Sequence, residues 1–355
     1  MDRKNLYFVN APVDAFFMGG LSILVFLYYQ FFYRGYSHLQ VSDTAISLAV
    51  FFNWIVNYPH FAATSYRFYQ SKEHREEFRL TAILIPFLIL LGTIACFVWP
   101  EKFAPVWTKV YMMWAVYHYS GQNYGLTLIY AKRANIEVHT WWRFVLAGFL
   151  YSCFVAQLTA MEALGGTGWV VGMTFPLLQI PLWASTLMRY VSYGFALALF
   201  FYAIQWSRQH KRGIPWIVAL PVVAQYTWTL LSAQTFSFQI LVALFHGLQY
   251  LLVAWAMEMH RQAASPSAAD SWCFLSSRTL YWAAMILITG AFVFFGLPWL
   301  VSLLGYELKF PLGVFFVSVQ IHHFFVDGVI WKLRGEKHRS PLFTNFRAAF
   351  AKGGA

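Results

Sequence analysis

An all-α integral membrane bundle is what this sequence predicts, on three observations. The chain is 59% hydrophobic and only 11% charged, where soluble domains run at about 25% charged. Its mean hydropathy is +0.53. Its apolar residues also come in continuous runs near the roughly 20 residues that carry a helix across a bilayer. A β-barrel would instead show alternating segments of about ten residues. No stretch has the composition of a separate soluble domain. Residues 1–355 therefore read as a single transmembrane domain ending in a short basic tail, 332–355. The start, MDRKNLYFVNAPVD, lacks a cleavable signal pattern, so the first span is expected to be retained.

Taken in order, the expected spans are 13–33, 42–62, 80–99, 106–131 and 141–161, then 187–206, 214–233, 236–257, 279–304 and 311–331. Between the two sets lie a Gly-rich break, GGTG at 165–168, and an apolar stretch, 169–185, broken by Pro176 and Pro181. Lys and Arg in the loops set the orientation. Arg67, Lys72, Arg75 and Arg79 follow the second span, and Lys132, Arg133 and Arg143 lie between the fourth and fifth. Arg208, Lys211 and Arg212 precede 214–233, and the tail carries Lys332, Arg334, Lys337, Arg339, Arg347 and Lys352. The opposite loops hold only Arg34, Lys102, Lys109 and Lys309. This pattern implies about ten crossings with both termini cytoplasmic, provided 169–185 is re-entrant or interfacial and backed by protein.

The formal net charge of +11 belongs to this loop pattern, so nucleic-acid binding is not expected. Cys96, Cys153 and Cys273 form no CxxC or CxxxC, which leaves free structural thiols rather than a disulfide framework or a thiolate metal motif. QAASPSAAD at 262–270 reads as a flexible cytoplasmic loop, and EHREE at 73–77 as a solvated loop or short surface helix. No internal repeat is visible.

The chemistry lies in polar residues inside the spans, where ionisable groups are expensive and usually mark a site. In FPLGVFFVSVQIHHFFVDGVIWKLR, 310–334, the residues Gln320, His323 and Asp327 share one helix face, and His322 points about 100° away. His60, His118 and His246 complete a set of five embedded histidines, all on spans expected to run from outside to cytoplasm. His38, His74, His139, His210, His260 and His338 fall in loops or at span ends. At 1.5 Å rise per residue, His60 lies about 10 Å from Arg67, His322 about 15 Å from Lys332, His246 about 18 Å from Glu258 and His118 about 21 Å from Lys132. The depths overlap within about two helical turns if tilt and a Pro59 kink absorb the scatter, His118 being furthest out.

Amides recur at helical spacing from these histidines: Asn53 and Asn57, Gln122 and Asn123, Gln249, Gln320. Such groups hold imidazole tautomers and ring orientations. Asp14, at the start of the first span, is a weaker carboxylate candidate, equally explained as a helix N-terminal acid. Hydrogen-bonded packing histidines in helix contacts would account for any one of the five alone. Together with Asp327 they fit a metal site, since neutral imidazole plus carboxylate suits iron, zinc or copper.

The chain has the single HH pair at His322 and His323 and lacks the HxxxH and HxxHH boxes of membrane desaturases and hydroxylases. In the dispersal of its histidines over separate spans it is similar in style to the bacterial Brp/Blh carotene dioxygenases, whose transmembrane histidines hold one iron. That similarity supplies a precedent and no residue-by-residue correspondence.

The function expected is a membrane-embedded, metal-dependent oxidoreductase of hydroxylase, desaturase or dioxygenase type, acting on a lipid or isoprenoid-like substrate. The expected metal ligands are His60, His118, His246, His322, His323 and Asp327. Asp327, Gln122 and Gln249 are the expected catalytic groups, with Asn57 and Gln320 orienting the ligands. Non-haem iron, one ion or two, is the expected cofactor, with zinc, copper or haem as open alternatives, and an electron-donor protein is a candidate partner. A haem-binding electron-transfer or haem-modifying protein, and a transporter using the histidines as a relay, are the rival functions.

Overall fold

The computed structural model describes residues 6–32, 43–232, 235–263 and 276–330, without the side chains of 236 and 260–263. The expected loop at 262–270, Cys273 and the basic tail fall largely or wholly outside these residues.

The described chain is almost wholly helical. Seven helices are long and apolar enough to cross a membrane: α1 (Ala11–Phe32), α4 (Leu80–Val98), α6 (Thr140–Glu162), α7 (Leu182–His210), α9 (Ser237–Met259), α10 (Ser277–Ser302) and α11 (Lys309–Ile330). Three further helical segments occupy the other expected spans: α2 (43–70), α5 (Phe103–Arg133) and the shorter α8 (Trp216–Leu231). A short surface helix α3, Lys72–Glu77, is capped by the Ser71 hydroxyl, which accepts from the His74 N–H. The two long segments outside the apolar set, α2 and α5, both bury polar groups. Asn57, His60 and Thr64 sit on α2, and Lys109, Asn123 and Arg133 on α5. In α9 and α11, 78% and 67% of the apolar window is buried, against 6% in α7, so α9 and α11 form the centre of the bundle and α7 lies at its edge.

Prolines shape several of these helices. A proline has no N–H and its ring collides with the carbonyl four residues back. Here the helix opens into a wide turn just ahead of the ring, and the residue before the proline donates five residues back. Tyr58 N–H bonds Asn53 O before Pro59, Ile85 N–H bonds Leu80 O before Pro86, and Leu297 N–H bonds Phe292 O before Pro298. The kink expected at Pro59 is therefore a wide turn over Asn53–Asn57, one residue before the proline's own turn.

The stretch expected to be re-entrant or interfacial is not helical until residue 182. Strands β1 (Thr167–Val170) and β2 (Met173–Pro176) form an antiparallel hairpin with Gly168 opposite Phe175. At its tip Gly172 has φ +76°, and a Cβ there would stand 2.9 Å from the Lys309 carbonyl oxygen. The hairpin thus sits at the N-terminal ends of α5 and α11. Lys109, expected in a loop, is instead buried within α5, paired with Glu162 of α6 and donating to Pro176 O at 2.9 Å. Glu162 also accepts from Leu178 N–H at 2.8 Å, so one ion pair fastens the hairpin to two helices.

At the other end of α5, Asp14 of α1 accepts from Phe8 N–H (2.7 Å), Val9 N–H (3.0 Å) and the Tyr130 hydroxyl (2.7 Å). Arg133 donates to Leu6 O and Tyr7 O and lies 4.6 Å over the Phe8 ring. Asp14 is therefore a fastening for the N-terminal segment, far along α5 from the histidines.

Candidate metal centre

Four of the five embedded histidines meet. The rings of His60 (α2), His246 (α9), His118 (α5) and His323 (α11) form a closed square. Successive centroids are 5.0 Å (60–246), 4.9 Å (246–118), 4.9 Å (118–323) and 4.5 Å (323–60) apart. Each ring stands at 74–87° to its neighbours in the square. His118, the member whose depth fitted the sequence arithmetic least, is fully part of it.

Close helix packing makes this meeting geometrically feasible. A Cβ on Gly247 would lie 2.9 Å from Asn57 Oδ1 and 3.0 Å from Val56 Cγ1, so the residue after His246 must be small for α9 to reach α2. A Cβ on Gly290 of α10 would lie 2.8 Å from the Tyr58 carbonyl carbon, so α10 backs directly onto the wide turn that presents His60. In α1, Gly19 has φ +146°, a left-handed backbone value that favours glycine. The carbonyl of the preceding Met18 accepts from Gln249 Nε2 at 3.0 Å.

The donor atoms form two overlapping groups. Ligand atoms of His60, His246 and His323 lie within 4.8 Å of one another, as do those of His118, His323 and Asp327. His118 Nε2 and His323 Nε2 are 3.2 Å apart, and Asp327 Oδ2 is 3.6 Å and 3.4 Å from them. Donors sharing one ion at about 2.0–2.2 Å are themselves roughly 3–4 Å apart, so these separations suit a common centre.

Hydrogen bonding separates this cluster from ordinary packing histidines. A neutral imidazole offers one N–H and one lone pair. Both ring nitrogens of His60, both of His246 and Nδ1 of His323 are buried and have no hydrogen-bond partner. Each such group left unsatisfied costs about 1–3 kcal/mol. Aromatic rings close over the square: Phe61 and Tyr250 on His60 (4.5 and 4.6 Å), Tyr119 on His246 (4.5 Å) and Phe324 on His118 (4.8 Å). Ligands from outside the protein are what the free nitrogens have left to bind.

The other expected site residues lie elsewhere. His322 points away from the square, as its 100° offset dictates. Its Nε2 is 3.0 Å from the Tyr69 hydroxyl, and the two rings are parallel to within 7°. Gln122 and Gln249 touch no imidazole nitrogen. Gln122 donates to His246 O (3.1 Å) and Gln249 Oε1 (2.8 Å), and Gln249 donates to Asn123 Oδ1 (3.1 Å). Asn123 and Gln225 carry the chain on to Ser120 (2.8 and 2.9 Å). These amides lock α1, α5, α8 and α9 together and so fix the backbones that carry the ligands. Asn57 donates to Asn53 at 2.6 Å, and Gln320 is buried within α11. Amide side chains pair readily with backbone and with one another, and here they do so in preference to the rings.

Two residues near the centre were not among the expected site groups. Tyr250 packs its ring 4.6 Å from that of His60 and 6.0 Å from that of His323. Arg67, which in the sequence looks like a topology charge, is half-buried and interacts electrostatically with Tyr250, Asp327 and Glu258. Both lie at i+4 or i+7 from a histidine, a spacing that could have flagged them. Beyond this geometry, no protein family, no curated protein and no solved structure matches the chain.

Proposed function

We propose that this chain is a polytopic membrane protein whose His60, His118, His246 and His323, with Asp327, hold one transition-metal ion, and that it is an oxidoreductase acting on a hydrophobic substrate. The observation that carries this is the square of imidazoles from four helices with five buried ring nitrogens unpaired. Four neutral imidazoles and a single carboxylate supply one negative charge, which favours one dication over two in a low-dielectric interior.

Non-haem iron is the metal proposed, with zinc or copper as the alternatives the same donors accept. Bound there, iron would supply dioxygen activation for hydroxylation, desaturation or cleavage. The chain's own part is to bind and orient the ion, to offset its charge through Asp327 and to exclude water with Phe61, Tyr119, Tyr250 and Phe324. The bundle is proposed to cross the membrane about ten times with both termini cytoplasmic, as the loop charges imply. A lipid or isoprenoid-like molecule is the substrate proposed, and a one-electron donor protein the partner.

A haem held between two imidazoles needs the plane between them clear of side chains. Here the remaining two imidazoles fill that plane, which favours a bare ion. A histidine relay for transport would retain no ion through purification. The test is metal analysis and absorption spectroscopy of detergent-purified protein beside His246→Ala. About one iron per chain without a Soret band, lost in the variant, supports the proposal. A Soret band would replace it with the haem function, and absence of metal would leave the relay.

A further inference from the structure

The connection from α5 to α6 and the end of α7 line a cavity of about 410 Å³, to which no residue of the metal centre contributes. Two helices of membrane-crossing length terminate there: α6 begins at Thr140 and α7 ends at His210. Basic residues crowd the same level in the sequence, Lys132, Arg133 and Arg143 on one side and Arg208, Lys211 and Arg212 on the other. Ends of apolar spans with clustered cations mark the headgroup layer of a bilayer. The volume falls within the range of small-molecule sites, about 300–1,000 Å³.

The lining combines aromatic rings with a single negative charge. Trp142, Tyr202 and Trp206 supply the rings, and Glu137 is the one carboxylate among the described residues that line the cavity. Stacking holds the rings in place, Trp142 on Tyr202 at 4.2 Å and His210 on Trp206 at 4.3 Å. Two guanidiniums flank Glu137 without pairing with it. Arg212 Nη2 donates to Asn135 O at 3.1 Å, and Arg143 Nε donates to Val138 O at 2.8 Å. The Glu137 carboxylate has no ion-pair or hydrogen-bond partner among the described residues, so it is left to whatever fills the cavity. A simple anion would be repelled by that carboxylate, and an apolar chain would strip it of water. A cation set between a carboxylate and aromatic faces is favoured by both. An anionic group on the same molecule would meet Arg143 and Arg212, which stand beside the backbone on either side of Glu137. We infer that this cavity binds the headgroup of an ammonium phospholipid, with the ammonium against Glu137 and the rings and the phosphate against Arg143 and Arg212. The inference rests on the reading of the chain as a membrane protein and is independent of the metal.

The test uses the full chain in detergent, with bound lipid counted by native mass spectrometry as phosphatidylcholine, phosphatidylethanolamine or phosphatidylglycerol is titrated in. Wild type is expected to bind one ammonium lipid about tenfold more tightly than phosphatidylglycerol, the scale of one hydrogen bond to a charged group. Glu137→Gln should abolish that preference. Glu101→Gln, which changes an exposed acid in the α4–α5 loop, should keep it. A wild type indifferent to headgroup, a preference that survives in Glu137→Gln, or an equal loss in Glu101→Gln overturns the inference. Soluble phosphocholine is the competitor that separates a membrane lipid from a free aminophosphate. Displacement of the lipid only at far higher phosphocholine concentration supports the lipid, and displacement at equal concentration overturns it. Iron content in the same samples should be equal in wild type and Glu137→Gln, so the metal proposal and this inference stand or fall separately. A chain that stays dispersed without detergent removes the membrane reading and this inference with it.

Discussion

Helix α5 carries buried ionisable groups at three levels, and they are treated in two different ways. Near its start Lys109 is matched by Glu162 and Pro176 O, and at its end Arg133 is matched by the carbonyls of Leu6 and Tyr7 beside Asp14, whose oxygens accept from Phe8, Val9 and Tyr130. Between them His118 joins a cluster in which His60 and His246 have no bonded ring nitrogen at all. The outer clusters are complete within the chain and so are fastenings. The middle one is complete only with something added. Burial and charge therefore do not distinguish a site from a strut in this molecule, and the satisfaction of the polar atoms does.

The sharpest way to break the contrast is to remove His323, which belongs to both donor groups. His323→Ala should take metal content from about one ion per chain to background while the bundle still folds, because the metal-free ring gains little from its surroundings. Chelation should lower the unfolding temperature of wild type but not of His323→Ala. At an ion concentration 100 times the dissociation constant, binding adds about 2.7 kcal/mol. Equal unfolding temperatures with and without chelator in wild type would make the middle cluster another fastening.

Asp14→Ala should behave in the opposite way. It leaves two backbone N–H groups and a tyrosine hydroxyl without their acceptor. Each buried donor left without an acceptor costs about 1–3 kcal/mol. Thermal unfolding in detergent should show that loss, with metal stoichiometry unchanged in the protein that remains folded. Loss of metal at wild-type stability would mean that the end of α5 and its middle are one unit.

Gly247→Ala sharpens the comparison from the packing side. The added methyl would stand 2.9 Å from Asn57 Oδ1 and 3.0 Å from Val56 Cγ1. Overpacking of this kind costs about 1–3 kcal/mol, and here it moves α9 away from α2. Metal affinity should fall about tenfold or more, since the His60–His246 side of the square widens while His118, His323 and Asp327 keep their geometry. An unchanged affinity would show that His60 is not a ligand.

The helical class was legible in composition, and so was the position of each long helix. The convergence of His60, His118, His246 and His323 could be expected because helices running the same way place residues of similar depth at one level. The partners of the amides could not be foreseen. Gln122 has equal spacing to the ring of His118 and to the backbone of α9, and only packing decides between them. The wide turns were half legible: each proline announces a broken bond, but not that the helix opens one turn earlier. Gly247 and Gly290 were silent, because a glycine in an apolar run says nothing about which neighbour presses against it. Lys109 misled because a lysine two turns inside a helix and a lysine in a loop look alike when the partner, Glu162, is fifty-three residues away.

The smallest effect is expected from His322→Ala, which tests how far the square extends along α11. His322 is adjacent to a ligand in sequence, yet its ring stacks on Tyr69 and its Nε2 meets the Tyr69 hydroxyl at 3.0 Å. Losing that bond should cost about 0.5–1.5 kcal/mol of stability. Metal stoichiometry should remain that of wild type, because a residue one position from His323 is rotated about 100° off the ligand face. An imidazole bonded to a tyrosine and one whose Nδ1 has no partner lie side by side in one dipeptide, so this variant tests the criterion drawn from α5 with helix and residue type held constant. If His322→Ala lost metal as fully as His323→Ala, hydrogen-bond satisfaction would fail as the mark of the site. The ring would then have to leave Tyr69 when the ion binds.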